Sequence, residues 1–173
     1  IGLAVPVTAS YIISVVICAP AMIQLGIPDF AAHMFVFYYA ILSEVSPPTA
    51  LSPFAAAALT GGNPYKTTMY AWKYTLPAFI VPFMFSVDPK GVGILLKGPV
   101  VDVIWTTFTA LVGIASLAGG VENWFFKKTT FYERIMLIAG GLALVYPQPL
   151  YDIVGFGLLA LVIVSQKLRK GEA

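Results

Sequence analysis

Residues 44–53 read EVSPPTALSP: three prolines, two serines, a threonine and a carboxylate, set between runs of Phe, Val, Ile, Leu and Ala. A proline in a helix removes one N–H and crowds the carbonyl four residues back. Pro47 therefore frees the carbonyl of Ser43, Pro48 frees that of Glu44, and Pro53 disturbs that of Thr49. The surroundings make this costly. Of 173 residues 59% are hydrophobic and 10% charged, with a mean hydropathy of +0.87, whereas a soluble domain carries roughly a quarter charged residues. Residues 30–42, 100–118, 135–145 and 153–164 hold almost no charge. Some of these runs can cross a hydrocarbon core of about 30 Å and some fall short of the ~20-residue norm. The expected fold class is an all-α integral membrane protein.

On the N-terminal side, residues 9–25 form one apolar helix ended by LGIPDF, where Gly26 and Pro28 are stop signals and Asp29 is placed to cap the next helix. A second helix begins at Phe30, is interrupted by SPP, and resumes in TALSPFAAAALTGG. A third is expected over residues 67–85, although it contains Lys73 and Pro77, with SVDPKG closing it. A fourth runs from about residue 99 to 118, and after it comes ENWFFKKTTFYER, an interfacial loop of aromatic residues beside charges. Residues 132–145 and 150–166, joined by YPQP, form a helical hairpin. If the KLRK tail is cytoplasmic, the positive-inside rule places Lys127 and Lys128 inside, Lys90 and Lys97 outside, and Lys66 inside.

Broken helices near the bilayer midplane are how many secondary transporters hold a coupling cation and face an anionic substrate. Here the hydroxyls of Ser46, Thr49 and Ser52 stand beside freed carbonyls, a hard oxygen set suited to a small cation. The alternative is a proline kink satisfied by neighbouring helices. Glu44 is the sharpest single residue, because an ionisable group inside a membrane helix is expensive and by default functional. It is a counter-charge to a cation, a carrier of the coupling proton, or a structural partner to a basic residue elsewhere. GLAVPVTAS repeats the chemistry in miniature: Pro6 frees the carbonyl of Gly2, and Thr8 and Ser10 supply hydroxyls at a helix start.

Other residues read more plainly. His33, alone, is a headgroup-level or packing residue rather than a metal ligand. Cys18 is a small buried hydrophobe with no possible internal disulfide. Trp72, Trp105, Trp124, Tyr132 and Tyr146 are packing residues and interface anchors, and the Gly pairs at 119 and 140 permit close helix packing. A net charge of +2 suggests no nucleic-acid partner. No acid, base and metal cluster points to an enzyme. The start at Ile1, with IGLAVPVTASY already Pro-interrupted, suggests a piece of a longer protein.

The P-x-T-A turn at Pro6, Thr8 and Ala9, the pair Ala19 and Pro20, the L-G-I-P, the S-P-P with a small-residue helix after it, and YAWKYTLPAFIVPFMF together carry a resemblance. The sequence resembles the large membrane subunit of tripartite ATP-independent periplasmic (TRAP) transporters, in the fused-permease form paired with TAXI-type binding proteins. The resemblance implies the C-terminal part of an elevator-type transporter with half a hairpin, a discontinuous helix and about four further membrane helices. By it, residues 1–86 are the second half of the transport core and residues 87–173 are C-terminal membrane helices. The implied site gathers Ser43, Glu44, Ser46, Pro47, Pro48, Thr49 and Ser52 with Pro6, Thr8 and Ser10, and the implied Na⁺ ligands are Ser46, Thr49 and Thr8. Na⁺ or H⁺ is the coupling ion, with no other cofactor. The implied partners are membrane lipid, a periplasmic TAXI-type binding protein and the rest of the permease, in a bacterial or archaeal inner membrane with the C-terminus cytoplasmic. The implied function is uptake of a small organic anion, such as a carboxylate. A symporter without a binding protein and a structural membrane subunit are the alternatives. The family's common pattern has an apolar residue where Glu44 stands, so Na⁺ and H⁺ both stay open.

Overall fold

The computed structural model describes residues 6–169, and among them the regular structure is helical with no strand. Among the described residues three helices are long and apolar enough to cross a membrane: α1 (Val7–Gln24), α6 (Val100–Glu122) and α8 (Pro149–Leu168). The chain is an all-α membrane protein that divides into two compact units, Ile1–Ser86 and Val87–Ala173.

In the first unit, α1 ends where Gly26 adopts a φ of +91° and the N–H groups of Gly26 and Ile27 fold back on the carbonyls of Ile23 and Met22. A left-handed glycine closes a helix this way because it has no Cβ to clash. α2 (Asp29–Leu42) packs on α1 through Ala31, Ala32, Val36 and Ala40, all buried, three of them spaced by four. Asp29 does not cap α2: the cap position is Pro28, and Asp29 sits in the first turn, 3.5 Å from Nε2 of His33. His33 Nδ1 lies 2.8 Å from the Tyr11 hydroxyl, so the lone histidine joins α1 to α2. Cys18 is exposed rather than buried, on the apolar outer surface that α1 shares with Val16 and Ile17.

α2 stops at Leu42, a 3-10 turn covers Ser43–Val45, and α3 (Leu51–Thr60) starts after an extended Ser46 and a left-handed Ala50. The expected single helix over residues 67–85 is not formed. Instead α4 (Pro64–Thr75) passes into a 3-10 segment at Leu76–Ile80 and the single turn α5 (Val81–Met84). Pro77 and Pro82 each remove a backbone donor there, so an uninterrupted α-helical ladder cannot be built.

In the second unit SVDPKG leads into a 3-10 segment, Pro89–Leu95, that packs against α6. α6 runs four residues beyond the expected end at 118, then α7 (Phe131–Val145) and α8 complete a three-helix group. The glycines set its spacing. A Cβ on Gly141 would come within 2.8 Å of the Gly113 carbonyl, and one on Gly155 within 2.9 Å of the Gly140 carbonyl. Such close backbones gain dispersion contacts that lipid cannot supply, which is how membrane helices associate. Leu137, Leu144 and Val162 are fully buried between the helices.

Candidate functional site

The prolines at 47 and 48 cannot donate to Ser43 and Glu44, so α2 must end near Ser43. The carbonyls left at its end are met locally by serine hydroxyls. Ser43 Oγ donates to the Ala40 carbonyl at 2.6 Å, and Ser46 Oγ donates to the Leu42 carbonyl at 2.8 Å. Both serines are buried. The Ser43 carbonyl that Pro47 releases is not bare, because the Ser46 N–H reaches it at 3.2 Å within the 3-10 turn.

Each hydroxyl gives away its hydrogen to a carbonyl and keeps its lone pairs, so its oxygen is left as an acceptor or a cation ligand. The C-terminus of α2 adds the partial negative charge of a helix end. Across the break, the first turn of α3 has no side-chain cap on its N–H groups, since its cap position is Ala50. The break therefore sets an oxygen-rich, cation-favouring helix end close in sequence to a donor-rich, anion-favouring one.

The other predicted site residues are spread more widely in their exposure. Glu44 is half-buried, and its carboxylate forms no hydrogen bond or ion pair with the described residues. Pro47 and Thr49 are half-buried; Pro48 and Ser52 are exposed. At the start of α1, Pro6 and Thr8 are exposed, whereas Ser10 is buried and donates its N–H to the Pro6 carbonyl. The Gly2 carbonyl lies outside the described residues. Ser10 lines a cavity of about 200 Å³ between α1 and α2, shared with Ser14, Tyr39 and Ala40. Ala40 is also the residue whose carbonyl takes the Ser43 hydroxyl, so this cavity reaches the last turn of α2. Thr8 is not among its lining residues.

Tyr39 was not singled out by its sequence position. Its hydroxyl donates to the Phe79 carbonyl at 2.6 Å, and its ring meets Phe35 and Phe83. It ties the helix that ends at the break to the proline-interrupted segment after α4. The available signal was the chemistry of the residue, since a tyrosine hydroxyl in an apolar helix needs an acceptor and Pro77 and Pro82 expose some.

No curated protein and no solved structure matches the chain. The family model described as "Tripartite ATP-independent periplasmic transporter, DctM component" matches residues 1–90, which hold α1, the whole break and the proline-interrupted segment after α4. That is 90 of 173 residues, more than half of the sequence. The chain belongs to the DctM family, the large component of TRAP transporters, and is a transporter component.

Proposed function

We propose that the complete protein takes up a small organic anion, such as a carboxylate, by an elevator-type mechanism coupled to a cation gradient, with a TAXI-type periplasmic binding protein delivering the anion. The observation that carries the reading is the interruption between Leu42 and Leu51, inside the region matching the transporter family. Its serine oxygens keep their lone pairs next to a helix C-terminus, the donor set a small cation needs. Ser46 and Thr49 are the cation ligands of this proposal, with Thr8 and Ser10 contributing from the start of α1. The uncapped first turn of α3 faces the anion. Residues 1–86 are then the working half of the core and residues 87–173 its C-terminal helices, with the C-terminus cytoplasmic.

Glu44 carries the coupling proton in this reading. It has no described partner, and an ionisable group within a membrane segment is costly to keep unless it has work to do. The test is uptake by the full transporter with its binding protein in proteoliposomes, driven by a pH gradient alone and then by a Na⁺ gradient alone. Glu44→Gln is expected to lose pH-driven uptake and keep substrate exchange. Weakened Na⁺ dependence with an unchanged pH profile would make Glu44 a counter-charge instead. Wild-type behaviour under both gradients removes it from the mechanism.

A further inference from the structure

Three features meet at the end of the second unit where α6 and α8 begin, at the C-terminal edge of the residues that match the transporter family and beyond it. The first is a carboxylate that is buried but only half satisfied. Asp152 is 5% exposed; its Oδ2 accepts the indole N–H of Trp105 at 2.9 Å, while its Oδ1 is buried and has no hydrogen-bond partner among the described residues. A buried charged oxygen left without a donor is costly, so the site asks for a donor from outside the chain.

The second feature is the space beside it. A cavity of about 150 Å³ is lined by Asp152 with Asp102, Lys90, Trp105, Thr106 and Thr109. Two turns close over it, tied together by Gln148 Nε2 donating to Asp88 Oδ2 at 3.2 Å. Gly93 lets the first turn settle on α6, since a Cβ there would stand 3.2 Å from Thr106 Oγ1. The third feature is an apolar groove of about 620 Å³ that shares Trp105, Pro149 and Asp152 with the cavity and continues along Ile153 and Phe156.

These features select among occupants. Water supplies a donor to Oδ1 but gives Lys90 no counter-ion and the groove no role. An inorganic cation suits the two carboxylates but leaves Lys90 without a counter-ion and the groove without a role. A zwitterion with an apolar tail matches all three. We propose that the cavity and groove bind a phospholipid with a primary ammonium headgroup. The ammonium donates to Asp152 Oδ1 and to Asp102, the phosphate accepts from Lys90, and an acyl chain lies along Ile153 and Phe156. The headgroup's N–H donors meet Asp152 Oδ1, which lacks one, and the exposed Asp102 carboxylate, and such charge-assisted bonds are the strong ones.

The test uses the purified, delipidated full-length protein and measures retained lipid by native mass spectrometry. The probes are phosphatidylethanolamine, phosphatidylglycerol and phosphatidylcholine in equal amounts. Wild type is expected to retain the ethanolamine lipid about tenfold over the glycerol lipid, the scale of one charge-assisted hydrogen bond. It should also prefer it to the choline lipid, whose quaternary ammonium has no N–H. Asp152→Asn, which keeps an acceptor for Trp105, should erase the preference. Asp102 is exposed, so Asp102→Asn serves as a second variant without risk to the fold and should reduce it. Equal retention of the three lipids by wild type overturns the proposal, as does a preference that survives both substitutions. Thermal stabilisation of the delipidated protein by NaCl that Asp152→Asn abolishes, without any lipid preference, also overturns it and assigns the cavity to an inorganic cation.

Discussion

The break after α2 and the three-helix group of α6, α7 and α8 handle buried polar groups in opposite ways. At the break, Ser43 and Ser46 reach carbonyls three and four residues back, Glu44 has no described partner, and α3 begins without a side-chain cap. In the helix group, several polar side chains also reach distant parts of the chain. Glu133, 2% exposed, forms a capping box with Thr130, accepts from Ser165 Oγ at 2.7 Å and lies 3.4 Å from Arg169. Gln166 takes the Phe126 N–H, and Ser116 donates to the Leu137 carbonyl. The two patterns suit different tasks. Long-range bonds fix helices against one another, while local bonds end a helix and leave the lone pairs of its hydroxyls free.

The largest effect expected from this contrast is at Glu133. Glu133→Ala removes the capping box and leaves Ser165 without its acceptor, at a cost of about 3 kcal/mol. Thermal unfolding of the detergent-solubilised full-length protein measures it, and the fraction that remains folded should keep its apparent Na⁺ affinity in uptake. A smaller loss there than at Ser46 would reverse the contrast.

Next come the glycines. Gly141→Ala drives a methyl against the Gly113 carbonyl and Leu117 and should destabilise by about 2 kcal/mol. Gly157→Ala meets nothing within 4 Å and should be neutral or stabilising by about 0.5 kcal/mol, through helix propensity alone. Equal melting shifts for the two would show that α7 is not held by close backbone approach.

Ser46→Ala should cost only about 1 kcal/mol of stability, one neutral hydrogen bond. On the proposed cation site, its larger expected consequence is a weakened Na⁺ dependence of uptake, shared by Thr49→Val. Unchanged apparent Na⁺ affinity in both variants would reduce the hydroxyls to satisfiers of a kink. The smallest effect is expected for Tyr11→Phe, which loses a part-buried bond to His33 and should shift stability by about 0.5 kcal/mol with no change in coupling.

The membrane character, the position of the break and the helical hairpin at the C-terminus were all legible in the amino-acid sequence. They rest on local properties: the transfer free energy summed along one helix, and prolines that cannot donate wherever they stand. Proline also explains where the structure departs from expectation: apolar composition favours one helix over residues 67–85 despite Pro77, and Pro77 with Pro82 breaks the ladder.

Which face of each helix lies inside was settled only by tertiary contacts. Cys18 is exposed where its apolar run predicts burial, Trp105 holds Asp152 where its position suggests an anchor, and Tyr39 joins α2 to Phe79. In water an apolar stripe marks the core, but a membrane helix is apolar on its lipid face as well, so hydrophobic periodicity cannot tell the two faces apart. Rotation about the helix axis is set by contacts between residues far apart in sequence, here the glycines of α6, α7 and α8 and the pairs Tyr11 with His33 and Ser165 with Glu133. The break could be read from residues 44–53 alone because proline acts on its own backbone. The cavity at Asp152 could not, because its orphan oxygen exists only once Trp105, 47 residues earlier, has taken the other.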